Sequence, residues 1–236
     1  MAHLYYWLVK LAAWLGGVAF VASLGYLVYF YAVVLGSTVG DQSGLVVNVL
    51  ANTALFSGFA LHHSLFARSG IKALVSRLVS RSHERTVYVW VSSVLLFTVC
   101  LLWRPIPGLI YEAQGPWRIA LYVVQAVGLV LTARGASVID PLELAGIRQA
   151  TARPSTDTIR AVGPFRIIRH PIYLGWMLMV FGAPTMTANR LLFAVVSSIY
   201  LILAIPWEER SLVEAHGDQY RAYQRRVRWR VLPGIW

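Results

Sequence analysis

The chain has 236 residues, of which 58% are hydrophobic and only 13% are charged, and its net charge is +11. Its mean hydropathy of +0.61 lies far above that of a soluble globular domain. This composition excludes an ordinary water-soluble enzyme, and the length fits one domain built in a membrane.

Four apolar runs without a charged residue occupy the first part of the chain. They are Leu11–Leu35, Gly44–Ala67, Thr86–Trp103 and Ile119–Ala133. Each approaches or exceeds the roughly 18–20 residues that a helix needs to cross a bilayer core. They predict four membrane-spanning helices, over about residues 11–35, 45–66, 87–103 and 119–137. Because the first run is longer than the apolar region of a signal peptide, we expect a retained helix.

The basic residues are concentrated in alternate connections. Residues 68–85 and 140–170 each contain five Lys or Arg, whereas residues 36–43 contain none. This asymmetry is the positive-inside pattern, which places the N-terminus, both basic connections and the C-terminal tail in the cytoplasm. Anionic lipid headgroups account for the excess positive charge, so membrane lipids are expected partners and nucleic acid is not.

The C-terminal third begins with a polar connection and continues as a predicted helical hairpin. The connection "IDPLELAGIRQATARPSTDTIRAVGPF" contains three prolines and has the length of a functional loop. Two apolar pieces, Ile172–Pro184 and Leu191–Trp207, then flank the turn "TMTANR". The first piece is too short to span a membrane alone, so both ends of the hairpin are expected on the cytoplasmic side. From Glu208 onward we expect an amphipathic, soluble tail.

These elements predict an all-α fold: a polytopic membrane helical bundle with four spanning helices, a C-terminal membrane hairpin and a cytoplasmic amphipathic tail. Residues 1–236 are expected to form a single domain, with a four-helix membrane part at 1–139 and a loop, hairpin and tail at 140–236. No pattern in the sequence points to a particular oligomeric state.

The hairpin opens with the motif "RHPIYLG", at residues 169–175. His170 and Tyr173 are three residues apart and can share a helix face. Pro171 has no N–H and pushes His170 toward an extended backbone, which leaves nearby backbone groups available for another partner.

The second end of the hairpin carries the acidic pair Glu208 and Glu209. A hairpin brings its ends together, so we expect this pair to meet the His170 cluster at the membrane surface. Adjacent residues on a helix point about 100° apart. We therefore expect one glutamate to hold a cation and the other to pair with Arg210 or a tail arginine. Simple interfacial anchoring is the alternative, although ionisable groups this close to hydrocarbon favour a functional site.

The tail places Tyr220, Tyr223 and Arg226 at spacings of three, which can line one helix face. A basic tail lying on anionic lipid is the alternative interpretation. No metal site is expected, because the adjacent His62 and His63 face different directions and no third ligand stands at metal-binding spacing. Phosphate-binding loops and nucleophile elbows are absent from the sequence.

These motifs together resemble the integral membrane methyltransferases. The Arg-His-Pro-x-Tyr-x-Gly opening, the hairpin, the Glu-Glu pair and "HGDQYRAYQRRV" are similar to the C-terminal half of that superfamily. It includes isoprenylcysteine carboxyl methyltransferases and phospholipid N-methyltransferases, which use S-adenosylmethionine. The segments "HHSLFARSGIKALV", "HERTVYVWVSS", "LLWRPIP" and "LAGIRQ" bring the chain closer to the bacterial methanethiol S-methyltransferase family, over roughly residues 60–230.

The resemblance implies an S-adenosylmethionine pocket and a location in a bacterial inner membrane with the active site facing the cytoplasm. The implied cofactor-binding residues are Gly163, Phe165, Arg169, His170, Tyr173, Gly175, Glu208 and Glu209. The implied catalytic residues are Arg169, Tyr220, Tyr223 and Arg226. One departure stands at Arg228, where the superfamily commonly has proline.

The implied reaction is methyl transfer to a small thiol, with methanethiol converted to dimethyl sulfide. Arg169 or Arg226 would favour the thiolate over the thiol. The alternatives are a lipid-like acceptor, such as a prenylcysteine carboxylate or a phospholipid amine, and a non-catalytic membrane scaffold of the same fold.

Overall fold

A computed structural model describes residues 2–40, 42–66, 71, 81–138, 147 and 161–236. The described residues are mainly helical. In chain order the elements are α1 (Ala2–Tyr29, continued by a π-helical turn at Phe30–Val34), α2 (Leu45–Leu65), α3 (Arg81–Leu102), β1 (Leu109–Glu112), α4 (Gly115–Ala136), α5 (Pro171–Phe181), β2 (Thr185–Thr187), α6 (Ala188–His216) and α7 (Asp218–Arg226). The prediction of an all-α class is confirmed.

Five helical segments are long and apolar enough to cross a membrane. They are Trp7–Val34, Leu45–Leu65, His83–Leu102, Gly115–Ala136 and Ala188–His216. The chain is therefore an integral membrane protein, and the predicted four spans followed by a hairpin are confirmed. Several basic residues of the predicted cytoplasmic connections lie outside the described residues: Arg68, Lys72, Arg77, Arg148, Arg153 and Arg160.

The described chain divides into two compact units, with one boundary inside α2 after Val49. In the first unit, which holds the described residues 2–34, 50–66, 71, 81–104 and 147, α1 packs against α3. The Trp90 indole donates a hydrogen bond to the Ala12 carbonyl at 3.0 Å. Near the other end of this pair, the rings of Phe30 and Trp103 meet edge to face, 5.9 Å apart. These contacts join the two helices at both ends.

In the second unit, which holds residues 35–49, 105–138 and 161–236, α4 packs closely against α5. The contact is made through glycines: a Cβ on Gly128 would lie 2.6 Å from the Gly175 carbonyl oxygen. The Gln125 amide donates to the Met179 carbonyl at 3.0 Å. On the other side of α5, the Trp176 indole donates to the Ser197 hydroxyl of α6 at 2.9 Å.

A two-stranded antiparallel sheet completes the turn of the hairpin, and the sequence did not predict it. Strand β2 pairs with β1, and the backbone N–H of Ala113 adds a bond to the Pro184 carbonyl at 2.8 Å. Helix α5 has only 11 residues, or about 16 Å of helix. Because extended chain rises about 3.3 Å per residue, the strand β2 lengthens this arm of the hairpin beyond the short helix. Pairing with β1 satisfies its backbone groups, as membrane depth requires.

Helix α6 is longer than the predicted apolar piece Leu191–Trp207. The helix continues through Pro206 to His216, so the first residues of the expected amphipathic tail are helical and continuous with α6. Pro206 removes one backbone hydrogen bond, but the Glu, Arg, Leu and Ala residues that follow are good helix formers. The helix ends at Gly217, whose φ of +53° turns the chain into α7. A single domain with a membrane part at residues 1–139 and a loop, hairpin and tail at residues 140–236 stays a prediction.

Candidate functional site

The two ends of the hairpin meet, as the sequence predicted. The Tyr173 hydroxyl, in the first turn of α5, donates a 2.5 Å hydrogen bond to the Glu208 carboxylate of α6. Nδ1 of His170 lies 3.6 Å from the same carboxylate oxygen. The short helix and the long helix therefore bring an imidazole, a phenol and a carboxylate to one place.

Glu208 is the accessible acid of this cluster. Its side chain is 43% exposed, whereas the neighbouring His170 side chain is only 5% exposed. The His170 and Tyr173 rings stack with centroids 5.2 Å apart and planes at 21°. A half-exposed carboxylate beside two stacked rings suits a cationic group. The carboxylate can accept a charge-assisted hydrogen bond from it, and an aromatic ring face attracts positive charge.

Glu209, one residue later, faces the interior. Its side chain is 6% exposed, and its Oε1 atom lies 2.5 Å from Nε of Arg169 and 3.3 Å from Nε2 of His170. The Oε2 atom contacts the C-terminal tail through Gln224 and Arg230, each at 3.3 Å. The expectation that one glutamate pairs with a tail arginine therefore matches Glu209.

Arg169 is held by the protein at several points of its guanidinium group. Besides the bond from Nε to Glu209, its Nη1 donates to the carbonyls of Val227 at 2.7 Å and Arg228 at 2.8 Å. The side chain is 7% exposed. These contacts favour a structural use of this cation, and its implied catalytic role stays a prediction.

The tail helix α7 presents its two tyrosines to the interior. Tyr220 and Tyr223 are buried and form a cluster with Val227, against which Leu212 and Val213 of α6 pack. Burial raises the pKa of Tyr220 and raises the pKa of Tyr223 to about 12. The protonated Tyr223 hydroxyl donates to the Phe165 carbonyl at 2.8 Å, so the tail holds the turn in front of the hairpin.

The remaining predicted residues occupy different settings. Arg226 is exposed at the end of α7. Gly163, also exposed, begins a 3-10 turn with a φ of +55°, a value that favours glycine. Gly175 is buried against α4, where a Cβ would overlap the Thr132 hydroxyl, so the structure gives close helix packing as the reason for this glycine. The roles of these residues toward a ligand stay predictions.

Sequence reasoning left Arg230 without a partner, and it did not single out Gln224 or Trp229. The structure places all three beside the opening of the hairpin. The backbone N–H groups of Arg169 and His170 donate to the carbonyls of Trp229 and Arg230, at 2.9 and 2.8 Å. Pro171 is the residue in the sequence that could have indicated these contacts. It disfavours helix at the residue before it, so the backbone N–H groups of Arg169 and His170 need other partners, and the extended tail supplies them.

The adjacent histidines of α2 have local partners in the first unit. His62 stacks on Phe66, with ring centroids 4.5 Å apart. Nδ1 of His63 lies 2.9 Å from the Tyr88 hydroxyl. Among the described residues, no group of three or more His, Cys, Asp or Glu stands close enough to hold a metal ion.

Comparison with known proteins finds a methyltransferase family model and several related proteins. A family model described as phospholipid methyltransferase matches residues 120–219. Methanethiol S-methyltransferase 1 of Bradyrhizobium diazoefficiens is 35% identical, covering 92% of this chain and 81% of that protein. Methanethiol S-methyltransferase of Mycobacterium tuberculosis is 36% identical, covering 88% and 89%. Nurim of Sus scrofa is 28% identical, covering 73% and 70%. No solved structure matches the chain.

Proposed function

We propose that this chain, which belongs to the methanethiol S-methyltransferase family, transfers a methyl group from S-adenosylmethionine to a small thiol. The family model supports a methyltransferase, and the relatives' names support a thiol as the acceptor. The donor and the acceptor, methanethiol, are the proposed part. The observation that carries the proposal is the half-exposed Glu208 carboxylate beside the stacked rings of His170 and Tyr173.

The residues at the hairpin end fit such a donor. S-adenosylmethionine, when bound, supplies a methyl group on a cationic sulfur and carries an ammonium on its amino-acid end. Glu208 would accept hydrogen bonds from that ammonium, because it is the glutamate with exposed carboxylate surface. The faces of His170 and Tyr173 would lie toward positive charge. The exposed Gly163 turn, held by Tyr223, would contribute its backbone to the adenine side.

For methyl transfer the protein must align the donor with the acceptor and exclude water. The reaction needs little proton chemistry. Positioning of this kind contributes about 7–11 kcal/mol to lowering a reaction barrier. The thiol must lose its proton before it attacks, and a nearby cation favours the thiolate. Arg226 is the better of the two proposed cations for this task, because it is exposed whereas Arg169 is already bound to Glu209 and to the tail.

We place the site at the cytoplasmic face of a bacterial inner membrane. The basic tail supports this side, because the positive-inside rule retains Arg-rich segments in the cytoplasm. The described part of that tail includes Arg221, Arg225, Arg226 and Arg228, all exposed. A water-soluble donor would then enter from the cytosol, and an apolar thiol would enter from lipid.

A lipid-like acceptor is the second candidate, and an apolar groove favours it. The groove has a volume of about 480 Å³ and runs between α4, α5 and α6, with Leu178 and Ile199 among its walls. Leu174, which also lines the groove, follows Tyr173 directly. The groove holds far more than one small thiol, so an acyl or prenyl chain lying in it would reach the same site.

Donor binding tests the proposal first. Purified wild-type protein should bind S-adenosylmethionine saturably in calorimetry, and Glu208→Gln should weaken binding about ten- to a hundredfold, because it removes a charge-assisted hydrogen bond. Glu214→Gln is the matched control, since Glu214 is an exposed glutamate of the same helix and should leave affinity unchanged. Absence of binding to the wild type would favour a non-catalytic scaffold.

Acceptor choice is tested with the same preparation. Methanethiol plus donor should release dimethyl sulfide into the headspace. A farnesylated cysteine analogue and vesicles containing phosphatidylethanolamine, each given with methyl-labelled donor, should remain unlabelled. Labelling of either lipid-like compound without dimethyl sulfide would replace the thiol with the second candidate.

A further inference from the structure

The buried Glu209 carboxylate bridges two parts of the chain that are distant in sequence. Its Oε1 atom contacts the opening of the hairpin, through Arg169 at 2.5 Å and His170 at 3.3 Å. Its Oε2 atom contacts the tail, through Gln224 and Arg230, each at 3.3 Å. Each oxygen therefore serves one of the two segments.

The same two segments are joined along their backbones. Ile168 and Trp229 form a parallel bridge, flanked by the bonds from Arg169 N–H to Trp229 and from His170 N–H to Arg230. The Arg169 side chain adds its two bonds to the carbonyls of Val227 and Arg228. The tail after α7 thus lies beside the residues immediately before α5.

We infer that Glu209 is a positioning residue, a latch that holds the C-terminal tail on the hairpin, with Arg230 as its principal tail partner. Glu208 and Glu209 then have separate tasks: the exposed acid faces the ligand, and the buried acid fixes the imidazole and the tail around it. The inference rests on the proposed function only in saying what the latch serves. The contacts that define it exist without any ligand.

The energetics make the latch sensitive to its partners. A buried carboxylate is stable only when its hydrogen bonds are made, and removal of one charged partner leaves an uncompensated group. Arg230 is the partner to remove first, because its side chain is 34% exposed whereas that of Arg169 is 7% exposed. Replacement of Arg230 therefore loosens the tail with less risk to folding than replacement of Arg169 or Glu209.

Amide hydrogen exchange on the full-length protein in detergent, without cofactor, tests the latch directly. Arg230→Gln should raise exchange about tenfold or more at Arg169 and His170, because their amides donate to the tail carbonyls of Trp229 and Arg230 and open when the tail is released. Arg228→Gln is the matched control. This variant also removes one arginine charge from the tail, but Arg228 lies two residues before Arg230 and its side chain is exposed. It should therefore leave exchange unchanged. Equal exchange in the two variants would overturn the inference.

Three further variants separate a latch from a general loss of stability. Glu208→Gln should leave tail exchange at the wild-type level, and Arg230→Lys should restore most of the protection. Glu209→Gln and Arg230→Gln share the loss of one contact, that between Glu209 and Arg230, so the combined variant should raise exchange by less than the sum of the two single effects. Tail release by Glu208→Gln, or fully additive effects in the double variant, would contradict the inference.

Enzyme kinetics supply the link to function. With methanethiol as acceptor, Arg230→Gln should raise the donor KM more than it lowers kcat, and Arg228→Gln should change neither. An Arg230→Gln effect on kcat alone would contradict a positioning role in donor binding. If no variant or wild-type sample transfers methyl groups, the proposed function fails, while the exchange result still decides whether the latch exists.

Discussion

At the scale of single residues, the adjacent Glu208 and Glu209 have different surroundings because a helix turns about 100° between them. The Glu208 side chain is 43% exposed and the Glu209 side chain is 6% exposed. The difference supports the proposal that the accessible carboxylate of Glu208 binds the ligand and the buried carboxylate of Glu209 belongs to the scaffold. Two identical side chains, one position apart, therefore call for different experiments.

Tyr223 offers a test of the tail's attachment to the turn before the hairpin. Tyr223→Phe removes only the hydroxyl that donates to Phe165, so we expect a loss of about 1 kcal/mol in the free energy of unfolding. Chemical denaturation in detergent measures this quantity. Tyr122→Phe is the control, because the Tyr122 ring is 53% exposed, and equal losses in the two variants would contradict the account.

The same residue predicts a pH dependence. Burial raises the pKa of Tyr223 to about 12, so the folded state favours the protonated phenol. Its contribution to stability is complete below the ordinary tyrosine pKa of about 10 and is lost as the pH rises through 12. Wild-type protein should therefore lose more stability than Tyr223→Phe between pH 10 and 12. Parallel curves for the two proteins would show that the phenol is not buried.

The sequence predicted which residues come together at the candidate site better than it predicted what each of them contacts. Residue spacing gave the divergence of the two glutamates, and the predicted hairpin gave the proximity of His170 to them. It did not reveal which glutamate is buried, because that depends on Gln224 and Arg230, which follow a turn at Gly217. A basic tail lying on lipid was one of two interpretations of the sequence, and in the structure residues 227–230 contact the opening of the hairpin.

At the scale of elements, the position of α5 depends on its contact with α4. Gly128 and Gly175 let the two backbones approach, and a Cβ on Gly175 would lie 2.7 Å from the Gly128 carbonyl oxygen. Small residues at such a crossing are typical of helix packing in membranes, where the hydrophobic effect does not drive association. The contact fixes the helix on which Tyr173 stands.

Substitution of one glycine tests this dependence. Gly175→Ala should destabilise the protein by about 1–3 kcal/mol through overpacking and should weaken donor binding because α5 must shift. Gly58→Ala is the matched control in α2, where a Cβ would meet no atom within 4 Å, and where alanine improves helix propensity. Thermal unfolding in detergent and calorimetry measure the two effects, and an unchanged Gly175→Ala would exclude a close α4–α5 contact.

Long elements were predictable because apolar runs of membrane length have few alternatives. The short sheet was not, because β1 and β2 have four and three residues and show no useful periodicity. The predicted apolar piece ends at Trp207, whereas the helix itself runs on to His216. The helix continues because the residues after Pro206 favour helix and pack Leu212 and Val213 against α7.

At the scale of the whole molecule, charge and hydropathy predict an orientation in the membrane. Five apolar helices make the chain an integral membrane protein, and the basic tail predicts a cytoplasmic C-terminal region. Because the candidate site is built from the hairpin ends and this tail, its access to a water-soluble donor depends on that orientation.

Cysteine labelling tests the orientation, since Cys100 is the only cysteine in the chain and is buried. A membrane-impermeant maleimide should label Arg118→Cys in intact spheroplasts, because the first turn of α4 is expected outside. It should label Arg221→Cys only after the membrane is disrupted. Both positions are exposed, and wild-type protein measures the background from Cys100. The reverse labelling pattern would place the site on the wrong side for a cytosolic donor.

The most direct measurement is a structure of the full chain bound to S-adenosylmethionine or its demethylated product. The account predicts the donor's ammonium within about 2.7–3.2 Å of the Glu208 carboxylate, its charged end beside His170 and Tyr173, and Glu209 still joined to Arg169 and Arg230. A donor bound away from the hairpin ends, or an ammonium held by Glu209 with the tail displaced, would contradict the central claim.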